Sequence, residues 1–174
     1  MTIPLERVEA VLAHGGKARE SHIHGEDHWR KVAIVGRHLV ASESEADEEL
    51  VVLFALIHDM RRENDDHDPQ HGPRAALLAR ALNDDLLGLE PDRLELLTEV
   101  IDGHTRMGPS TDSTIGVCLD ADRLNLWRVG ITPNPRFLST ALARRPETIA
   151  GTRRLNRSPA PDWPDLLATK VSVS

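Results

Sequence analysis

Tyrosine is absent from this sequence, and there are only two phenylalanines and three tryptophans. An interior organised by aromatic stacking is therefore excluded, and any core must be built from Leu, Val, Ile and Ala. One cysteine, Cys118, excludes an internal disulfide. Its setting in an apolar stretch makes it a core residue rather than a reactive thiol. No segment approaches the ~18 apolar residues of a membrane span. The opening stretch "MTIPLERVEAVLAHGG" lacks a charged leader followed by an apolar run, so no secretory signal is expected and a cytoplasmic setting is. Positive charge is in deficit, 21 Lys and Arg against 28 Asp and Glu, for a net charge of −7. General attraction to nucleic acid is therefore not expected. "GKARES" lacks the glycine spacing of a phosphate loop, and no Gly-x-Ser-x-Gly nucleophile elbow occurs. The acidic run "ENDDHDPQH" lacks the glycine and glutamate positions of a calcium-binding EF-hand.

What is present is helical periodicity over a length of 174 residues, enough for one domain with a substantial core. The pattern predicts helices over 4–14, 26–41, 73–83, 91–104, 113–128 and 136–149, and no alternating strand pattern. "SESEADEELVVLFALIHD" starts with serines and acids, which mark a helix start. Its apolar run from Leu50 to Ile57 is apolar all round, as a central buried helix would be. The expectation is an all-α fold: a single helical domain over 1–150, with a short irregular Pro-containing tail, 151–174, packed on it.

Nine histidines, almost twice the number of aromatics, are the other conspicuous feature. His28 lies on the apolar stripe of its helix with Val32, Val35 and Leu39. His58 and Asp59 end the buried run abruptly. Downstream, Asp120 and Asp122 compete. Residues two apart on a helix point about 200° apart, so the two cannot easily bind one ion. Asp122 shares its stripe with Ile115, Cys118, Leu119, Leu126 and Val129, which makes it the inward carboxylate, and a buried carboxylate should meet a cation. Two imidazoles and two carboxylates suit a borderline divalent ion, Mn²⁺, Fe²⁺, Co²⁺, Ni²⁺ or Zn²⁺, with Mg²⁺ also admitted. Four protein ligands would leave coordination positions for water or substrate, as in catalytic sites. His14, His22, His24 and His38 are expected at the surface, and His67 in an acidic loop that could act as a lid.

The order "DHWRKV", "LIHDMRR", "DADRL" on predicted helices resembles the HD superfamily of metal-dependent phosphohydrolases, over roughly residues 20–130. The resemblance implies an all-helical fold and metal ligation by His28, His58, Asp59 and Asp122. Relatives holding more than one ion add a His-Pro-x-x-Gly element and a later histidine. The matching pieces here are "HGPR" at His71, which departs from that order, and "GHTR" at His104. They imply a second ion bound by His71 and His104, so one or two divalent ions are expected. A basic residue three after the Asp matches Arg62, suited to bidentate phosphate contact.

The expected activity is hydrolysis of a small phosphate ester, a nucleotide being one candidate, by a metal-activated water. Asp59 and Arg62 are the expected catalytic residues, and Arg62, Arg61 and Lys31 the expected substrate-binding ones. Three alternatives stand beside it: a di-iron oxygenase of HD fold, a non-catalytic metal-binding regulatory module, and a guanosine tetraphosphate hydrolase. Neither substrate identity nor oligomeric state follows from the residues.

Overall fold

A computed structural model of the chain describes residues 3–168. It is all-α, with no β-strand among the described residues. Eight α-helices follow in order: α1 (Leu5–Leu12), α2 (Glu26–Val40), α3 (Glu48–Ile57), α4 (His71–Leu82), α5 (Pro91–Gly103), α6 (Ser113–Arg123), α7 (Pro146–Leu155) and α8 (Trp163–Ala168). No helix among the described residues is long and apolar enough to cross a membrane.

Helix α3 is the axis of the molecule. Asp47 caps it, its carboxylate accepting from the Glu49 and Leu50 amides at 3.1 and 3.2 Å. Every side chain from Leu50 to Ile57 is at most 2% exposed. Each buried Leu, Val, Ile or Phe side chain here contributes roughly 1.5–3 kcal/mol. Helices α1, α2, α4, α5 and α6 all pack against it. Helix α2 comes especially close because Gly36 lacks a side chain: a Cβ there would lie 2.4 Å from Val51 Cγ1. Helices α4 and α5 pair with each other beside this centre.

The predicted helices over 4–14, 26–41, 73–83 and 91–104 are present within a few residues. Two others differ. The helix expected over 113–128 stops at Arg123, and Leu126–Val129 forms a separate 3-10 turn. Between them the buried Asn125 donates to the Ala121 carbonyl at 2.8 Å and accepts from Asn156 at 2.8 Å. The helix expected over 136–149 begins only at Pro146. Arg145 is held extended, as a residue before proline prefers. Upstream, the Ser139 and Thr140 amides both donate to Asp120, each at 2.7 Å, which ties this stretch to α6 instead.

Helix α7 runs across residue 150, where the tail was expected to begin, and the tail itself carries α8. Trp163 and Leu166 of α8 are buried. The Ala160 amide donates to Asp27 at 2.8 Å and Trp163 Nε1 donates to Glu26 at 3.0 Å. The two acids that open α2 therefore also hold the C-terminal segment. Residues 169–174 of the expected tail lie outside the described residues.

Candidate metal centre

Helix ends bring the predicted residues together. His28 sits in the first turn of α2, and His58 and Asp59 directly follow α3. His71 opens α4 and His104 ends α5, while Asp122 lies in the last turn of α6. His28, His58, Asp59, His71 and His104 are all at most 4% exposed. Their donor atoms form two groups able to hold a metal ion, His28, His58 and Asp59 in one and Asp59, His71 and His104 in the other.

Asp59 divides its two oxygens between these groups. Oδ2 lies 3.7 Å from His28 Nε2 and 3.6 Å from His58 Nε2. Oδ1 lies 3.2 Å from His71 Nε2 and 3.9 Å from His104 Nε2. Asp122 Oδ1 lies beside the first group without being part of it, 3.2 Å from His28 Nε2 and 3.9 Å from His58 Nε2. Two ligands ~2.1 Å from a common ion and at right angles to each other stand ~3.0 Å apart. The spacings seen here are of that order.

The imidazoles are oriented from behind. His58 Nδ1 lies 3.1 Å from the Phe54 carbonyl, and His104 Nδ1 lies 2.7 Å from the Ile101 carbonyl. His71 Nδ1 bonds the Asp68 carbonyl. A carbonyl only accepts, so each of these Nδ1 atoms carries a proton, and on a neutral ring that leaves Nε2 with the lone pair. His71 Nε2 and His104 Nε2 are 3.0 Å apart. Burial pushes the pKa of both rings below the ordinary histidine value, so both are neutral near pH 7. Two bare lone pairs at that separation repel, and a shared cation turns the repulsion into coordination. Burial, aided by Arg128, likewise pushes His28 down to about 3. The buried Asp122 Oδ1 and His28 Nδ1 have no hydrogen-bond partner. Hard carboxylate and borderline imidazole donors, oriented and partly unsatisfied, fit a divalent ion.

Both carboxylates are ionised. Burial alone would raise Asp59, but the surrounding imidazoles, His58 and His24 foremost, hold it well below the usual carboxylate range. Burial opposes ionisation of Asp122 too, and Arg128 and His28 outweigh it. Asp120 is a different case. It is even more buried than Asp122, and burial raises its pKa. Its oxygens are occupied by the Ser139 and Thr140 amides. Both aspartates thus point inward, but only Asp122 faces the imidazoles.

A cavity of about 280 Å³ opens onto this centre, lined in part by Asp59, His71, His104 and Asp122. Arg62 lines it as expected, with Nη1 3.7 Å from Asp59 Oδ1. Lys31 does not line it: its ammonium is 2.6 Å from Asp27, on the side of α2 that meets the C-terminal segment. Arg61 does not line it either, and its carbonyl accepts two bonds from Arg74. His67 is exposed and stands outside the cavity lining, so it closes nothing here.

Among the cavity residues missed by sequence reasoning, two stand beside its carboxylates. His24, expected at the surface, is buried, with Nδ1 3.2 Å from Asp59 Oδ2. Its spacing of four before His28 was the available signal. Arg128 puts Nη2 3.4 Å from Asp122 Oδ1. On one continuous helix, residues six apart diverge by about 120°. The break after Arg123 removes that divergence, and only the folded chain reveals it. No protein-family model matches the chain, and no curated protein or solved structure matches it either.

Proposed function

We infer that this chain is a metal-dependent hydrolase of small phosphate esters, of the HD type that its motif order resembles. One observation carries the reading: two buried His/Asp groups share Asp59 at the floor of a cavity lined by three arginines, two of which, Arg62 and Arg128, stand beside its carboxylates. A divalent ion bound there would lower the pKa of water toward neutrality and offset phosphate charge. His28, His58, Asp59 and Asp122 would hold one ion, and Asp59, His71 and His104 a second.

The chain's own groups supply the rest. Arg62 and Arg128 face the cavity from opposite carboxylates and would take the phosphoryl oxygens. Burial keeps His28, His71 and His104 neutral, so these three compete neither with a metal nor with the arginines for charge. Hydrolysis breaks the bond between phosphorus and the leaving oxygen. Water supplies a hydroxyl to phosphorus and a proton to the leaving group, giving phosphate and an alcohol. Asp59, ionised and central, is the carboxylate positioned to orient that water.

The test is turnover of p-nitrophenyl phosphate, nucleoside monophosphates and guanosine tetraphosphate by the full chain loaded in turn with Mn²⁺, Co²⁺, Zn²⁺ and Mg²⁺. Release of phosphate that disappears on chelation is the expected result. Tight metal binding without turnover of any ester would replace the reading with a binding module. The His71–His104 group favours a second reading, a di-iron oxygenase. Two irons per chain with substrate-dependent oxygen consumption would select it.

A further inference from the structure

Beside the metal cavity lies a second one of about 550 Å³, and the two share Thr105, Arg123 and Leu126 in their walls. Its character is different. Met107, Leu126, Ile131, Pro133 and Phe137 make it mainly apolar. Ile131 is 53% and Phe137 61% exposed, unusual for large apolar side chains in a fold that buries nearly all the others. Arg123 supplies a charge to this wall, but its guanidinium is already engaged, donating to the Phe137 carbonyl at 2.8 Å and the Met107 carbonyl at 2.5 Å. That side chain ties the two banks of the groove together. Asn134 Oδ1 accepts from the Arg136 amide at 3.0 Å.

The metal cavity alone, at about 280 Å³, falls just below the ~300–1,000 Å³ of small-molecule pockets. A phosphoryl group fills only part of it. A leaving group too long for the remaining space extends through a wall, and the wall shared with the groove is made by Leu126 together with Thr105 and Arg123. We propose that the groove holds the apolar leaving group of the substrate, so that the preferred ester is the phosphate of an aliphatic or aryl alcohol. This rests on the phosphohydrolase reading. A nucleoside fits the groove less well, because its base edges and sugar hydroxyls need hydrogen-bond partners, and most of the lining, Met107, Leu126, Ile131, Pro133 and Phe137, is apolar.

The test uses the full chain loaded with Mn²⁺ and the non-hydrolysable series methyl-, propyl-, butyl- and hexylphosphonate, with binding measured by calorimetry. A fully buried methylene is worth about 0.8 kcal/mol, or about fourfold in affinity. In an open groove the parent should gain about two- to fourfold per methylene. In a Phe137→Ser, Ile131→Thr double variant, referenced to its own methyl compound, the slope should flatten. Both side chains are exposed, so the variant should fold.

If the parent turns over methyl or p-nitrophenyl phosphate but its affinity is flat across the series, the groove assignment fails while the phosphohydrolase reading stands. If no phosphonate binds and no ester is turned over, both fail. If the parent is a dimer, the double variant a monomer, and the series flat in both, the apolar face belongs to a second copy of the chain and the proposal is overturned.

Discussion

The Nε2 atoms of His71 and His104 face each other at 3.0 Å, each ring anchored through Nδ1 to a backbone carbonyl. Neither atom has a proton to offer the other, and with Asp59 the pair could hold a metal ion. His71→Ala and His104→Ala should each remove one ion per chain while the ion at His28, His58 and Asp122 remains. Elemental analysis of the purified variants measures this. Unchanged metal content in both would make the centre mononuclear and remove the oxygenase reading with it.

Gly72 explains why the "HGPR" segment can bring His71 so close. A Cβ at Gly72 would lie 2.8 Å from the carbonyl oxygens of both Ile101 and Asp102. The Ile101 carbonyl is the same one that orients His104. Gly72→Ala should push α4 from α5, cost about 1–3 kcal/mol of stability and weaken the second ion. Thermal melting and metal content together check it. A variant with the parent's melting temperature and two ions would refute the packing argument.

The two aspartates of "DADRL" should separate cleanly. Asp122→Asn removes a carboxylate facing the imidazoles and should lose metal while the fold is kept. Asp120→Asn replaces an acceptor of two amides with a group that can satisfy only one. It should lower stability by about 1–3 kcal/mol while the metal stays bound. Calorimetric metal binding beside denaturant unfolding would show the two losses in different variants. Loss of metal affinity in Asp120→Asn alone would reverse the assignment.

Arg62→Ala and Arg128→Met should act on phosphate rather than on metal. A charge-assisted hydrogen bond contributes about 1.5–3 kcal/mol, so each variant should lose about 10- to 100-fold in kcat/KM toward phosphoesters. Arg128→Met should also let the Asp122 pKa rise, since the guanidinium offsets part of its burial. Unaltered kinetics in either variant would return that arginine to a structural role.

The metal-free chain should lose stability on acidification beginning near neutrality. Burial holds His28 at about 3, against an ordinary 6.5, and lowers His71 and His104 as well. Below pH 6.5 the unfolded chain therefore binds protons that the folded chain refuses. Stability is present above that pH and falls as pH drops toward the lowered values, by up to about 1.4 kcal/mol per unit for each such imidazole. Melting temperatures from pH 7.5 to 5 in the presence of a chelator test this. A flat profile would mean that these rings are solvated.

The sequence by itself determined the helical class, the buried identity of Leu50–Ile57, the place of His28 on an apolar stripe and that of His58 and Asp59 at the end of the buried run. These follow from short-range periodicity and residue chemistry that need no tertiary context, whereas the expectation that His28, His58, Asp59 and Asp122 converge rests on the resemblance of the motif order. The choice of Asp122 over Asp120 was also legible, although the reason was incomplete: burial does not distinguish them, and what does is the loop that Asp120 holds. Tertiary structure alone decided where helices stop. Asn125 breaks one by bonding Asn156 thirty-one positions later, and Asp120 prevents another by taking the Ser139 and Thr140 amides. Those long-range bonds turn Arg128 into the cavity, while the local pair with Asp27 keeps Lys31 out of it. Long polar side chains reach several ångströms in many directions, so which partner each one finds depends on contacts that a linear pattern does not carry.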